Sequence, residues 1–392
     1  MRELLKKLSP KPLIACYKGF RYTIITMLFY VFRLCPIQQN RIVFMNVWGY
    51  GDNVKYVAEA LLKRKKDYEL IFICNHPERQ NLPKAFKGLK TNSIKAIKAL
   101  ATASMWVESN RKEAYIKKRN KQYYIQLWHG GLPLKKIEGD CAEYLGASYI
   151  KRAKKDSAMT DLYVSNGTFC TQMYRRAFFY EGEIVELGTP RMDLLLSEDR
   201  KKKERIKAKL GVKPETKLAL YAPTYRDTKD ASIYQMDYEH LTHILQQRFG
   251  GEFKLIVRLH PLVQAQSSGL AFSEHVIDGN KSRDIYELMF ASDVLITDFS
   301  NTMFEFSFAR RPVFLYAKDL STYQSERGFY FDYNSLPYVI ATSQEQLEEE
   351  IMGYEEEKEQ AKVFEFFKAI GLKETGHASI DVADLIEKLV DS

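Results

Sequence analysis

Residues 291–316 read ASDVLITDFSNTMFEFSFARRPVFLY. An apolar strand, Val294 to Ile296, runs into the polar turn Thr297-Asp298-Phe299-Ser300-Asn301-Thr302; a short helix follows, then a second strand led by Pro312. Strand, polar turn, helix, strand is the repeating unit of a parallel α/β sheet. Ser300, Asn301 and Thr302 stand at the helix start, where unpaired backbone N–H groups favour an anion such as a phosphate. Thr302 and Glu305 also fit the S/T-x-x-E capping box, in which the same residues only begin a helix.

Two further stretches repeat the pattern. Lys217 to Tyr221 is an apolar strand ending in Ala222-Pro223-Thr224-Tyr225-Arg226-Asp227, and Phe253 to Val257 ends in Arg258-Leu259-His260-Pro261. Polar residues just past a strand line the ligand crevice of an open parallel sheet, so Thr224, Arg226, Arg258, His260, Asp298 and Ser300 are expected to converge. Asp298 could instead orient its own loop through an Asx turn.

Upstream, strands alternate with helical segments from Ile42–Met45 through Leu70–Cys74, Met105–Val107, Tyr123–Leu127, Leu162–Val164 and Ile184–Glu186. The alternation predicts a second parallel sheet. The charge-dense stretch from Asp199 to Lys209 separates the two sets, giving an expected N-terminal segment 1–40, a first domain 41–198 and a second domain 199–392, whose last helix returns to the first. In the first domain, Gln126-Leu-Trp128-His129-Gly130-Gly131-Leu-Pro-Leu-Lys135-Lys136 places an imidazole and two glycines at a strand end, where backbone can approach a ligand closely. Lys135 and Lys136 are candidates for an acceptor's phosphates or for plain solvation.

Charge is uneven. The chain of 392 residues carries +9 in total, yet residues 1–41 hold eight Lys or Arg against Glu3, a local balance of +7. A nearly neutral body argues against nucleic acid and for an anionic surface met by the N-terminus. Residues 13–35 can form an amphipathic helix with Phe20, Ile24, Ile25, Met27, Leu28, Val31 and Phe32 on one side and Tyr22, Thr26, Tyr30 and Arg33 on the other. Its longest uncharged run, Tyr22 to Phe32, is far below the ~20 residues a bilayer span needs. A helix lying in the membrane interface is expected, with packing on the body or on a second copy as the alternative. Cys16, Cys35, Cys74, Cys141 and Cys170 show no metal-ligand spacing and read as free thiols; His240 and His243 read as a solvated helix face.

The stretches WHGGLPLKK, YAPTYRD, RLHP and LITDFSNTMFEFSFARRPVFLY occur in an order that resembles the CDP-glycerol glycerophosphotransferases, the wall teichoic acid primases and polymerases of Gram-positive bacteria. Trp48-Gly-Tyr-Gly-Asp52-Asn53 and Gly376-His-Ala-Ser379 are similar too, so the likeness runs from about Arg41 to the end. The resemblance implies a GT-B architecture, two Rossmann-like doubly wound domains facing across a cleft, with the cytidine nucleotide in the second. It implies two important histidines, which map to His129 and His260. It also implies a CDP-polyol donor, an undecaprenyl-diphosphate-linked saccharide acceptor, and a place at the cytoplasmic face of the membrane. Two departures stand out: Glu305 replaces the usual Asp and Asn301 the usual second Ser.

Joined to the residues, the expected donor site is Thr224, Arg226, Arg258, Asp298, Ser300, Asn301, Thr302 and Glu305, and the expected acceptor side is Trp128, Gly130, Lys135 and Lys136. His129 is expected to take the acceptor's proton and His260 to meet the leaving phosphate. No obligatory cofactor and no metal set is expected, although Asp298 could support Mg²⁺ through the phosphates. CDP-ribitol in place of CDP-glycerol, a nucleotide-sugar glycosyltransferase, and a non-catalytic membrane scaffold are the alternatives, and a homo-oligomer is left open.

Overall fold

The computed structural model describes residues 11–64, 66–226, 232–260, 263, 270–282 and 284–391. The basic residues Arg2, Lys6 and Lys7, together with Asp227 and Pro261 of the expected turns, lie outside them.

Helix α1 (Lys11–Phe32) leads into the first half: β1 (Gln38–Met45), α2 (Asp52–Leu62), β2 (Glu69–Cys74), β3 (Lys87–Lys90), α3 (Ile94–Thr102), β4 (Ala103–Glu108), β5 (Tyr123–Gln126), α4 (Ala147–Ser157), β6 (Leu162–Ser165), α5 (Thr168–Ala177) and β7 (Glu183–Glu186). A crossing stretch holds α6 (Met192–Leu195) and α7 (Arg200–Lys209). The second half contains β8 (Lys217–Tyr221), α8 (Tyr238–Phe249), β9 (Phe253–Val257), β10 (Val276–Asp278), α9 (Ile285–Ala291), β11 (Val294–Thr297), α10 (Thr302–Ser307), β12 (Val313–Tyr316), α11 (Leu320–Arg327), β13 (Val339–Ala341) and α12 (Gln344–Met352). Helix α13 (Glu356–Ala369) then crosses back, and α14 (Ala378–Asp391) ends the chain.

Seven strands form one sheet in the order β3-β2-β1-β4-β5-β6-β7, and six form the other in the order β10-β9-β8-β11-β12-β13. Both are parallel throughout, as the alternation of apolar runs and helices predicts. The strands that pattern alone overlooks are β3, β10 and β13, and each lies at a sheet edge. An edge strand is covered on fewer sides and carries fewer apolar residues, so its signal is short and weak. Strand order reverses between β1 and β4 in one sheet and between β8 and β11 in the other, which opens a crevice at the carboxyl ends of each pair.

The terminal elements depart from the expected picture. Helix α1 turns Ile25 and Phe29 inward, buried beside Ile97 and Leu100 of α3, with Leu28 and Phe32 packed against them. Phe20, Ile24, Met27 and Val31 point outward together with Tyr17 and Leu34. The helix therefore has two apolar faces, not one. Helix α14 lies on α2, burying Val382, Ala383 and Ile386, while Arg64 pairs with Asp384 and Lys66 with Asp391. The Asp193 carboxylate caps its start, accepting from the N–H groups of Ala378 at 2.9 Å and Ser379 at 2.7 Å.

Candidate active site

The strand ends of the first sheet meet the second half through the loop after β5, among other contacts. Trp128 adopts a positive φ of 53°, unusual for a bulky residue, and its N–H is fixed by the buried Gln126 side chain at 2.9 Å. Its ring is buried against Phe178, 4.6 Å between centroids, and lies 4.1 Å from the His129 ring. Trp128 thus packs behind the histidine and does not face an acceptor.

His129 stands exposed at the strand end with Nδ1 3.2 Å from the Ser109 carbonyl oxygen. A carbonyl accepts only, so Nδ1 carries the proton and Nε2 is left with the free lone pair. The surrounding cleft walls disfavour the charged ring and lower its pKa; Asp52 opposes that shift and Arg191 adds to it.

Glycine at 130 is not demanded by crowding, since an added Cβ would meet only Asn301 Nδ2 at 3.7 Å and Arg191 Nη2 at 3.9 Å. At Gly131 it would run into Asn166 Nδ2 at 2.9 Å and Thr189 Oγ1 at 3.0 Å. The requirement for glycine comes from protein packing, not from a ligand. Beyond it, the Leu134 N–H donates to Asn301 Oδ1 at 2.9 Å, Lys136 N–H to the Gly328 carbonyl at 3.2 Å, and Tyr330 N–H to the Leu134 carbonyl at 2.8 Å. Lys135 pairs with the Tyr323 hydroxyl and lies over its ring, while Lys136 is exposed. This loop stitches the first sheet to the second and brings His129 to the start of α10.

On the second sheet, β9, β8 and β11 are neighbours, so Thr224, Arg226, Arg258, His260, Asp298 and Ser300 are gathered at one edge. Their tasks divide. Arg226 is buried and spent on a carboxylate pair, with Nη2 2.8 Å from Asp298 and Nε 2.6 Å from Asp319, and it stacks over Tyr323. Arg258 is buried with Nη1 donating to the carbonyls of Gly279, Asn280 and Ser282. Asp298 accepts from the N–H groups of Thr224 at 2.8 Å and Phe299 at 2.7 Å as well as from Arg226. These three charged groups build the turns, and Asp298 is the loop-orienting aspartate.

Glu305 forms no capping box: Asn301 occupies the N-cap without a side-chain bond, and Glu305 is buried between Arg191 and the Tyr286 hydroxyl. What faces the cleft is Ser300, Asn301 and Thr302, all partly exposed, with the Thr302 hydroxyl 2.9 Å from Ser300 Oγ. Among the described residues the N–H groups of Ser300 and Asn301 meet no acceptor and Thr224 Oγ1 is a buried hydroxyl without a partner. His260 is exposed at the end of β9, its ring 5.7 Å from Tyr225; burial first, then the charges of Lys135 and Arg258, depress its pKa. Among the described residues no three His, Cys, Asp or Glu side chains gather as a metal set.

Several site residues escape a reading by motif. Arg191 is buried at the crossing stretch, with Nη1 2.7 Å from Asp52 and 3.0 Å from the His129 carbonyl, and Nη2 on Glu305. Burial opposes its charge, but Glu305, Tyr286 and Asp52 outweigh that and hold its pKa well above the usual range. Asn53 receives the Arg191 N–H and donates to the carbonyls of Leu127 and Trp128. Glu374, from the tail, accepts from Asn166 Nδ2 and the Thr189 N–H, each at 2.8 Å. Arg191 follows β7 and Asp319 follows β12, so the strand-end rule that flagged Thr224 could have found both.

A family model described as CDP-glycerol:poly(glycerophosphate) glycerophosphotransferase matches residues 27–388. The chain belongs to this family. Among glycerophosphotransferase relatives, the teichoic acid poly(glycerol phosphate) polymerase of Staphylococcus epidermidis is 30% identical over 90% of this chain and 51% of its own length. The chain thus spans about half of that relative. The teichoic acid glycerol-phosphate transferase of Staphylococcus aureus is 33% identical over 78% of this chain and 82% of its own. Structures of the wall teichoic acid polymerase TagF superpose with a TM-score of 0.83 at 27% identity, covering 97% of both chains. A TagF variant soaked with CDPG gives 0.81. The chain has the paired-sheet, GT-B-like fold seen in TagF.

Proposed function

We propose that the protein transfers a polyol phosphate, glycerol phosphate first, from CDP-glycerol to a hydroxyl of a lipid-linked saccharide and releases CMP. The observation that carries this reading is the bond from Leu134 N–H to Asn301 Oδ1, which holds the base-bearing loop of one sheet against the anion-ready turn of the other. The donor's pyrophosphate lies along the free N–H groups of Ser300 and Asn301 and the hydroxyls of Thr302 and Thr224. Arg226, Arg258 and Asp298 shape those turns and supply field without touching the donor.

The acceptor oxygen attacks the β-phosphorus in line, a new P–O bond forms, and the bond from that phosphorus to the oxygen bridging it to CMP breaks. His129 Nε2 takes the acceptor's proton. His260, kept neutral, donates an N–H to the departing phosphate. Lys135, held on Tyr323 and close enough to His260 to depress its pKa, adds positive charge on the donor side of the seam. The protein works at the cytoplasmic face of a membrane, lying on the outer face of α1; no helix of the described residues is long and apolar enough to cross one.

The test is release of CMP from CDP-glycerol, CDP-ribitol and nucleotide sugars in the presence of a saccharide acceptor. CMP from a CDP-polyol, lost in His129→Ala while CDP still raises the melting temperature, supports the reading. Release of a nucleoside diphosphate from a nucleotide sugar would replace it with a glycosyltransferase, and the absence of any CDP-induced shift would replace it with a scaffold.

A further inference from the structure

The crevice of the first sheet carries a side chain with no structural task. Strand order reverses between β1 and β4, and the loop leaving β1 there, residues 46–51, is pinned at successive backbone positions. Val47 N–H donates to Asn110 Oδ1 at 3.0 Å, Trp48 N–H to Asn46 Oδ1 at 3.2 Å, Gly49 N–H to the Asn46 carbonyl at 3.2 Å, and Tyr50 N–H to Gln80 Oε1 at 3.1 Å. Gly49 has φ 140° and leaves no room for a Cβ, which would stand 2.8 Å from Gln80 Oε1. From this fixed loop Trp48 projects with 80% of its surface exposed.

An exposed indole forgoes the burial that a large apolar ring ordinarily gains, and a loop pinned at successive backbone positions fixes where it is presented. The loop that carries it is held by the side-chain amides of Asn46, Gln80 and Asn110. Asn110 Nδ2 donates to nothing among the described residues, and Ser109 Oγ is buried without a partner. Ser109 is also the residue whose carbonyl holds His129. The loops that carry the indole, the spare amide donor and His129 therefore leave three neighbouring strands, β1, β4 and β5, at the end where open α/β sheets bind ligands.

We propose that Trp48 is a stacking platform for a pyranose ring of the acceptor, with Asn110 Nδ2 as a hydroxyl-directed donor beside it. The proposal rests on the transferase reading above. Apolar C–H faces of a sugar ring suit an indole, and its hydroxyls suit flanking amides. The amides that hold the loop favour a sugar over a bilayer; Val47 beside Trp48 packs against the same apolar cluster as α1, and the vesicle arm of the test separates the two occupants.

The protein has three tryptophans, and Trp106 and Trp128 are 0% and 7% exposed. Solvent-quenchable emission therefore reports on Trp48. Titration with the soluble disaccharides chitobiose and maltose is expected to shift emission and shield it from acrylamide with at least one of them, and Trp48→Phe should remove the response. In the CMP-release assay Trp48→Ala is expected to raise KM for a saccharide acceptor roughly three- to tenfold, with kcat, the KM for CDP-glycerol and transfer to free glycerol unchanged. Emission that answers to anionic vesicles but to neither sugar, or to nothing, overturns the proposal, as does an unchanged acceptor KM. If the wild type releases no CMP from any CDP-polyol, the transferase reading fails instead, and the fluorescence titration still decides whether Trp48 binds sugar.

Discussion

His129 owes its position to residues that do no chemistry: Trp128 behind it, Ser109 on Nδ1, and Arg191 on its carbonyl. Because the cleft lowers its pKa, the ring is neutral at pH 7, and kcat/KM for transfer should fall only as pH drops through a value below the ordinary histidine 6.5. Asp52→Asn removes the charge that favours the imidazolium, so the acid limb should move to still lower pH. A limb at or above 6.5 in the wild type would show that another group is titrating. His129→Ala is expected to cost about 10²- to 10⁴-fold in rate.

Glu374 provides the opposite case. Burial raises its carboxyl from 4.5 to about 8; bonds from Thr189 and Asn166 resist that, and Glu305 adds to it. The native state then keeps a proton that the unfolded chain releases, so this contribution to stability is full below about pH 4.5 and is lost as pH rises toward 8. Melting temperature followed from pH 5 to 8 should decline, and Glu374→Gln should flatten the decline. An identical slope in the variant would remove Glu374 as its cause.

Among elements, the central strands and the edge strand β7 were legible from apolar runs, whereas the edge strands β3, β10 and β13 were not, since their outer sides need no apolar cover. The polar turns were also legible as strand ends that gather at one edge, but not the division of labour within them. Arg226 and Arg258 carry the charge a phosphate would want, and only the fold reveals that Asp319, 93 residues from Arg226, and the carbonyls of 279–282 have already claimed them. Pattern likewise merged the two faces of α1. Because Ile25 and Phe29 are buried, deleting residues 1–36 should lower the melting temperature, contrary to what an appended helix would allow. The cleaner variant replaces Ile24, Met27 and Val31 with serine, which should reduce recovery on anionic vesicles and leave melting unchanged. Equal recovery would refute the membrane-lying role of that face.

For the molecule as a whole, Arg191 joins Asp52 of the first half to Glu305 of the second, and Lys55 pairs with Asp284 at 2.7 Å nearby. Arg191→Met would strand two carboxylates at the seam, and a loss of about 3–5 kcal/mol in denaturant unfolding is expected. Adding Glu305→Gln should restore part of it. A double variant as unstable as the sum of the single ones would mean the groups are not coupled.

The polypeptide passes between the two sheets twice, once through residues 187–216 and again through α13 on its way to α14. Two straps side by side hold the halves in one register, so the bonds across the seam, Leu134 to Asn301 and Arg191 to Glu305 among them, form between surfaces that the chain has already aligned.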